Sequence, residues 1–240
     1  MKLLTLRKLH KWVALFVGLQ VLLWTVSGLM FAWLDHHDVS GEHLVKPPVS
    51  ANLDSRMPLT DPSAWRRQYS GRGVHEVTLQ LLNDTWVYRI AYDGGIDLRR
   101  ADNGAPFTVD ASAAELLARD HYRGTGRLVE VRHHPESTLE SRGAGPTWQA
   151  RFDDAPQTSL YFSASDGSLV ATRTDRWRVF DFFWMLHTMD YSGRDNFNNP
   201  LVILAGSSAL WVVLTGVLLL TRVFRWKIPH VRRSTEASRS

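Results

Sequence analysis

The sequence contains no cysteine. That excludes a disulfide scaffold, a thiolate metal site and a cysteine nucleophile. No G-x-G-x-x-G turn, P-loop, H-E-x-x-H or G-x-S-x-G occurs either. Nucleotide fingerprints, zinc-protease helices and nucleophile elbows are thereby absent, and the carboxylates form no pair whose spacing marks a hydrolase. Charge is missing locally: residues 12–34 and 201–221 carry none over 23 and 21 residues respectively. The remainder is too polar for a polytopic transporter, and a composition that is 44% hydrophobic is not that of a disordered chain.

The averages conceal this distribution. A mean hydropathy of −0.20 reads as an ordinary soluble protein, and 240 residues allow one or two domains. The net charge of +4 divides into +9 on the two ends and −5 over residues 35–200. The basic residues therefore flank apolar runs and do not signal nucleic acid, despite a pI near 9.6. A bilayer core about 30 Å thick needs roughly 20 apolar helical residues, which both runs supply. The first is longer than the roughly 7–15 residues of a signal-peptide core and is read as an uncleaved span. Lys2, Arg7, Lys8 and Lys11 before span one, and six basic residues in 222–240, place both ends in the cytoplasm by the positive-inside rule. Trp12, Trp33 and Trp226 stand where interfacial anchors belong. Residues 35–200 are then external, periplasmic in a Gram-negative cell.

The external part repeats itself. Thr85-Trp86 and Thr147-Trp148 lie 62 residues apart, and Ala101-Asp-Asn-Gly104 and Ala164-Ser-Asp-Gly167 lie 63 apart. Each tryptophan opens an alternating stretch (TWVYRIAY, TWQARFDD), which reads as a half-buried strand. Each Asn-Gly or Asp-Gly reads as a tight hairpin turn. A further strand precedes each, from Val74 and from Arg127, and before that a helix start, Asp61-Pro62 and Asp110. The expected unit is a helix followed by antiparallel strands, twice over, within about 60–107 and 110–174. A unit this short cannot close a large core alone, so the copies should pack as one α+β body.

Spans bracketing two such units resemble the PepSY-associated transmembrane proteins. The residues carrying the resemblance are Arg7-Lys-Leu-His-Lys-Trp12, Ser27-Gly28, Phe180-Asp-Phe-Phe-Trp-Met-Leu-His187, Asp190-Tyr191, Asn196-Phe-Asn-Asn-Pro200 and Thr215-Gly216. The resemblance implies an α+β membrane protein. Two transmembrane helices (12–34 and 201–221) flank a periplasmic domain of two PepSY-like repeats (35–175), with an interfacial segment at 176–200 and cytoplasmic ends at 1–11 and 222–240. It also implies a b-type haem and an activity among ferric iron or ferric siderophore reductases. Better-known members have four spans where this chain has two, which implies dimerisation.

The histidines are weighed against that expectation. His10 sits at the inner end of span one with Gly18 two turns on; it is read as an axial haem ligand, the alternative being an interfacial histidine solvated beside Lys8 and Lys11. His187 lies in an apolar segment that reads as an interfacial helix on the outer leaflet, with Asp190 as the partner that orients its ring; the alternative is a helix that only seats the domain on the membrane. His36, His37 and His43, beside Asp35 and Asp38, could receive ferric iron or another metal, or be a solvated helix end. His133 and His134 are weaker candidates, and His75, His121 and His230 are read as ordinary surface or packing residues.

Depth constrains the rest. His10 and His187 stand roughly 30 Å apart across the hydrocarbon and cannot ligate one iron in one chain. Two helices do not enclose a haem whereas four can, and a C2 homodimer supplies four. Small residues at Ala205-Gly-Ser-Ser-Ala209 and Thr215-Gly216 permit close helix contact. The expected chemistry is electron transfer from haem b (one per dimer, or two) to periplasmic ferric iron or a ferric siderophore. With no nicotinamide or flavin fingerprint, the electrons come from quinol or a cytoplasmic reductase. The competing class is a haem-free accessory that binds a partner or a metal.

Overall fold

The computed structural model describes residues 3–47, 58–65 and 67–223. Lys2, Trp226, His230 and the tail beyond residue 223 lie outside the described residues. Both charge-free runs are helices, α1 (Leu3–Trp33) and α5 (Pro200–Val223). At 1.5 Å per residue each exceeds the thickness of a bilayer core, and each is apolar enough to cross one. They run antiparallel, His10 meeting Thr215 and Trp24 lying near Leu201.

Between them lie two four-stranded antiparallel meanders. The first is β1 (Val74–Leu82), β2 (Thr85–Tyr92), β3 (Gly95–Arg100) and β4 (Pro106–Phe107). The second is β5 (Leu128–His134), β6 (Thr147–Phe152), β7 (Ser159–Ser163) and β8 (Leu169–Arg173). The helix between them, α3 (Ala111–His121), is capped by Asp110, whose carboxylate accepts from the Ala113 N–H. One core joins all three: Leu82, Val87 and Leu98 from the first sheet, Leu117 from α3, and Leu160 and Phe162 from the second. The duplicated units thus form one α+β body, and the chain is an α+β protein with a spanning helix at either side of it.

Two expectations are corrected. The segment from Pro62 forms only a 3₁₀ turn (Pro62–Trp65), not an α-helix. It is too short to sustain one before Gly71 and Gly73, both at positive φ. Trp65 and Tyr69 nevertheless cover the outer face of the first sheet, against Tyr88 and Tyr92 at ring distances of 5.6 Å each. The Asn103-Gly104 and Asp166-Gly167 turns are four-residue loops: Arg100 pairs with Ala105 and Ser163 with Ser168, each glycine N–H returning to the strand's last carbonyl. The two-residue hairpins are Asn83-Asp84, both at positive φ, and Asp93-Gly94. Gly167 adopts φ +73° with Leu82 and Leu117 only 3.3 Å from where a Cβ would stand, so the second repeat's loop presses on the first repeat's strand.

A fourth helix, α4 (Asp175–Thr188), follows β8, its N-terminus capped by Thr174. It packs lengthwise against the domain-side end of α1, not across it as a helix lying in the bilayer plane would. Arg176 meets Asp38 at 2.8 Å, just past the end of α1, Phe180 and Trp184 stack around Phe31, and His187 reaches Ser27. The second sheet grips its other side through the β5–β6 loop. Glu140 accepts from Arg178 at 2.8 Å and from the Tyr161 hydroxyl at 2.8 Å, while the buried Asp181 carboxylate pairs with both Arg142 and Arg194. Removing one partner of such a buried cluster strands the others, so Asp181→Ala should cost about 3 kcal/mol. The loss would be read as a lower melting temperature of the purified protein, and unchanged melting would show that these ion pairs do not fix α4.

Candidate functional site

Both histidines singled out in the apolar segments are keyed to a hydroxyl. His10 Nδ1 lies 2.7 Å from Thr215 Oγ1, and His187 Nδ1 lies 2.8 Å from Ser27 Oγ. Each hydroxyl also lies within bonding distance of a carbonyl one turn back along its own helix, Ser27 Oγ 2.7 Å from that of Leu23 and Thr215 Oγ1 2.8 Å from that of Trp211. With the single hydroxyl hydrogen on that carbonyl, the oxygen accepts, the imidazole donates from Nδ1 and Nε2 carries the lone pair. Neither Nε2 has a hydrogen-bond partner among the described residues. Metal-ligating histidines require this arrangement, one nitrogen oriented by a hydrogen bond and the other left to coordinate.

The two sites are separate. His10 and Ser27 are seventeen residues apart on α1, about 25 Å of helix, so one chain offers one imidazole at each end. At the domain side, Trp24 Nε1 donates to the His187 carbonyl at 2.8 Å and Asn199 Nδ2 to that of Thr188 at 2.8 Å. These contacts satisfy carbonyls that the end of α4 would leave bare. Phe31 stands edge-on to His187 at 5.3 Å. At the other site, Trp211 lies 6.3 Å from the His10 ring and Gly216 borders it.

Asp190 does not orient His187, contrary to expectation. Its carboxylate instead accepts four backbone N–H groups, from Ser192, Gly193, Asp195 and Asn196, at 3.0–3.2 Å. It holds the loop between α4 and α5 closed. Ser27, which in the sequence stands only among the residues that carry the resemblance, takes the orienting role. A hydroxyl within an apolar run is the available signal, but nothing in the linear order pairs it with residue 187.

The surface histidines separate into a group and several singles. His37 and His43 stack with ring centroids 5.1 Å apart, and with Asp38 they place three ligand atoms within 4.8 Å of one another. His36 stands outside this group. His75 pairs with Asp93, His134 with Gln149, His121 with the Leu117 carbonyl, and His133 packs on Trp148.

A family model described as the PepSY-associated TM region matches residues 7–240. Comparisons with curated proteins and with solved structures find no match.

The Asn196 N–H foremost, with the Ser192 and Gly193 N–H groups and the Ser192 hydroxyl, holds the Asp190 carboxyl down at about 2 from its usual 3.8. A depressed folded-state pKa stabilises fully above the unfolded value and is lost as the pH falls through the folded one. Asp190→Asn should therefore melt below the wild type near neutral pH. The gap should narrow between about pH 4 and pH 2. A gap independent of pH would show that the carboxylate charge is not what closes the loop.

Proposed function

Because the chain belongs to the PepSY-associated TM region family, we propose that it is a membrane-embedded haem b protein of the bacterial inner membrane that passes electrons to ferric iron or a ferric siderophore in the periplasm. The observation that carries this reading is the pair of hydroxyl-anchored histidines, one toward each end of the spans, each with Nδ1 on a hydroxyl and no hydrogen-bond partner at Nε2 among the described residues. A haem of this kind supplies one-electron transfer when bound, and needs axial nitrogens of this character.

The chain's own residues would do the following. His10 and His187 would each give an Nε2 to an iron. Thr215 and Ser27 would hold the Nδ1 protons and fix the ring planes. Phe31, Trp184 and Phe197, the latter two 5.1 Å apart, would form an apolar wall that keeps water from the His187 end. Each site offers one imidazole from this chain, and another copy would supply the matching nitrogen, so the reading includes a homodimer. Two features leave room for a second copy: the spans are almost wholly uncovered, and a Cβ at Gly18, Gly28 or Gly206 would meet no atom within 4 Å. A C2 partner would then bring a matching histidine to each level. The basic flanks of the spans support a topology with the His10 end toward the cytoplasm, where quinol or a cytoplasmic reductase would donate, and the domain in the periplasm.

The test is the visible spectrum of protein purified after haem-replete expression. A Soret band with low-spin character is expected, with His10→Ala and His187→Ala each removing about half of the bound haem under the two-site form. Ser27→Ala and Thr215→Val should weaken retention by roughly tenfold, as loss of an orienting partner does. Absence of a Soret band would overturn the proposal and leave a haem-free module that binds a partner. Unchanged spectra in both histidine variants would overturn the ligand assignment.

A further inference from the structure

Between the end of α1 and the domain the chain makes a short helix, α2 (His36–Ser40), then a left-handed residue, Gly41, and a 3₁₀ turn (Glu42–Leu44). The reversal is pinned from below. Val39 and Leu44 are buried, and Gly41 sits at φ +69° with Thr172 Cγ2 only 2.7 Å from where a Cβ would be. Val45 bridges to Tyr122, and Arg123 N–H donates to the Leu44 carbonyl. Asp35 caps α2 by accepting from the His37 N–H at 2.8 Å. This anchoring fixes the backbone on both sides of the turn and folds His43 back onto His37, while the two imidazoles themselves remain exposed.

We propose that His37, Asp38 and His43 form a binding site for ferrous iron. Two imidazoles and one carboxylate on a solvent-facing turn, with coordination positions left open, form the donor set suited to that ion. Ligand atoms within 4.8 Å of one another need only small rotations of exposed side chains to close on a metal with bonds of about 2 Å. Asp38 engages Arg176 through Oδ2 at 2.8 Å, so Oδ1 remains for a cation. Arg176 is 60% exposed in its side chain, and an exposed ion pair of this kind resists displacement weakly. Beside the group is a recess of about 430 Å³ lined by Asp38, His43, Pro156 and Asp175 among others, with room for a hydrated ion to enter and leave.

The site's position suggests its use. Arg176 and His187 stand on one helix, eleven residues or about 16 Å apart, so the group lies next to the domain-side end of the electron path. Metal binding here stands independently of the haem reading; only the role of receiving the reduced product rests on it.

The experiment is a titration of the full-length protein in detergent with Co²⁺, followed by its visible absorption, and with Fe²⁺ under anaerobic conditions. The wild type should bind one equivalent per chain at this site. His37→Ala, His43→Ala and Asp38→Asn should each weaken binding on the order of tenfold or more, and His36→Ala should leave it unchanged. Equal affinity in the wild type and the His37→Ala/His43→Ala double variant would overturn the proposal, as would loss of binding in His36→Ala. His37 and His43 are exposed, so the melting temperatures of their variants should stay close to wild type and separate ligand loss from misfolding. A protein without a Soret band that still binds Co²⁺ here sinks the haem reading alone, whereas a haem-loaded protein that binds none sinks this one alone.

Discussion

A hydroxyl inside an apolar helix has a single hydrogen, and at Ser27 the helix's own Leu23 carbonyl stands 2.7 Å away to take it. That small fact governs much of the architecture. With the hydrogen placed there the oxygen accepts, and its partner is His187 Nδ1 at 2.8 Å. In hydrocarbon an unmet partner would be costly on either side. The bond therefore does two things at once: it draws the end of α4 down against α1, and it decides which nitrogen of the ring stays bare. Thr215 repeats the device on the other helix and at the other end, so the pattern is a rule of this fold, not a local accident.

The other end of α4 follows different physics. There the contacts are ionic and lie against the second sheet: Glu140 to Arg178, and Asp181 between Arg142 and Arg194. Trp177 is sandwiched by the guanidiniums of Arg173 and Arg142 at 4.1 and 5.5 Å, adding cation–π attraction. One helix thus changes solvent along its length, polar and charge-bound where it leaves the domain, apolar and hydroxyl-keyed where it meets α1. The loop closed by Asp190 then turns the chain directly into α5, whose first turn is capped by Asn199 accepting from the Val202 N–H.

The sequence made the coarse plan legible because the signals were local. Charge-free runs gave α1 and α5, period-two alternation gave β2 and β6, and Asp110 three residues before a free N–H gave the start of α3. The misreadings have non-local causes. Pro62 and the residues after it carry helix-compatible side chains, yet Gly71 and Gly73 stop the segment early and Trp65 and Tyr69 pack edge-on or tilted against Tyr88 and Tyr92 instead of extending a helix. The four-residue loops at Gly104 and Gly167 depend on which backbone groups pair beyond the glycine, which a dipeptide does not specify. Asp190 was close enough in sequence to be assigned to His187, but four amides in its own loop outbid one imidazole. Likewise His36, His37 and His43 read as one group in the sequence, whereas on a helix neighbours diverge, so the turn at Gly41 brings His43 to His37 and leaves His36 outside.

The division of anchoring between the two histidines has a mechanical consequence. His10 is held wholly between the two long helices, whereas His187 rides on a rod whose far end is bolted to the duplicated domain. Over the roughly 16 Å from Arg176 to His187, a tilt of about 5° displaces the imidazole by roughly 1.5 Å, comparable to the length of a coordination bond. The domain therefore has a direct helical connection to the His187 ring, whereas the His10 ring is reached only through the two spans.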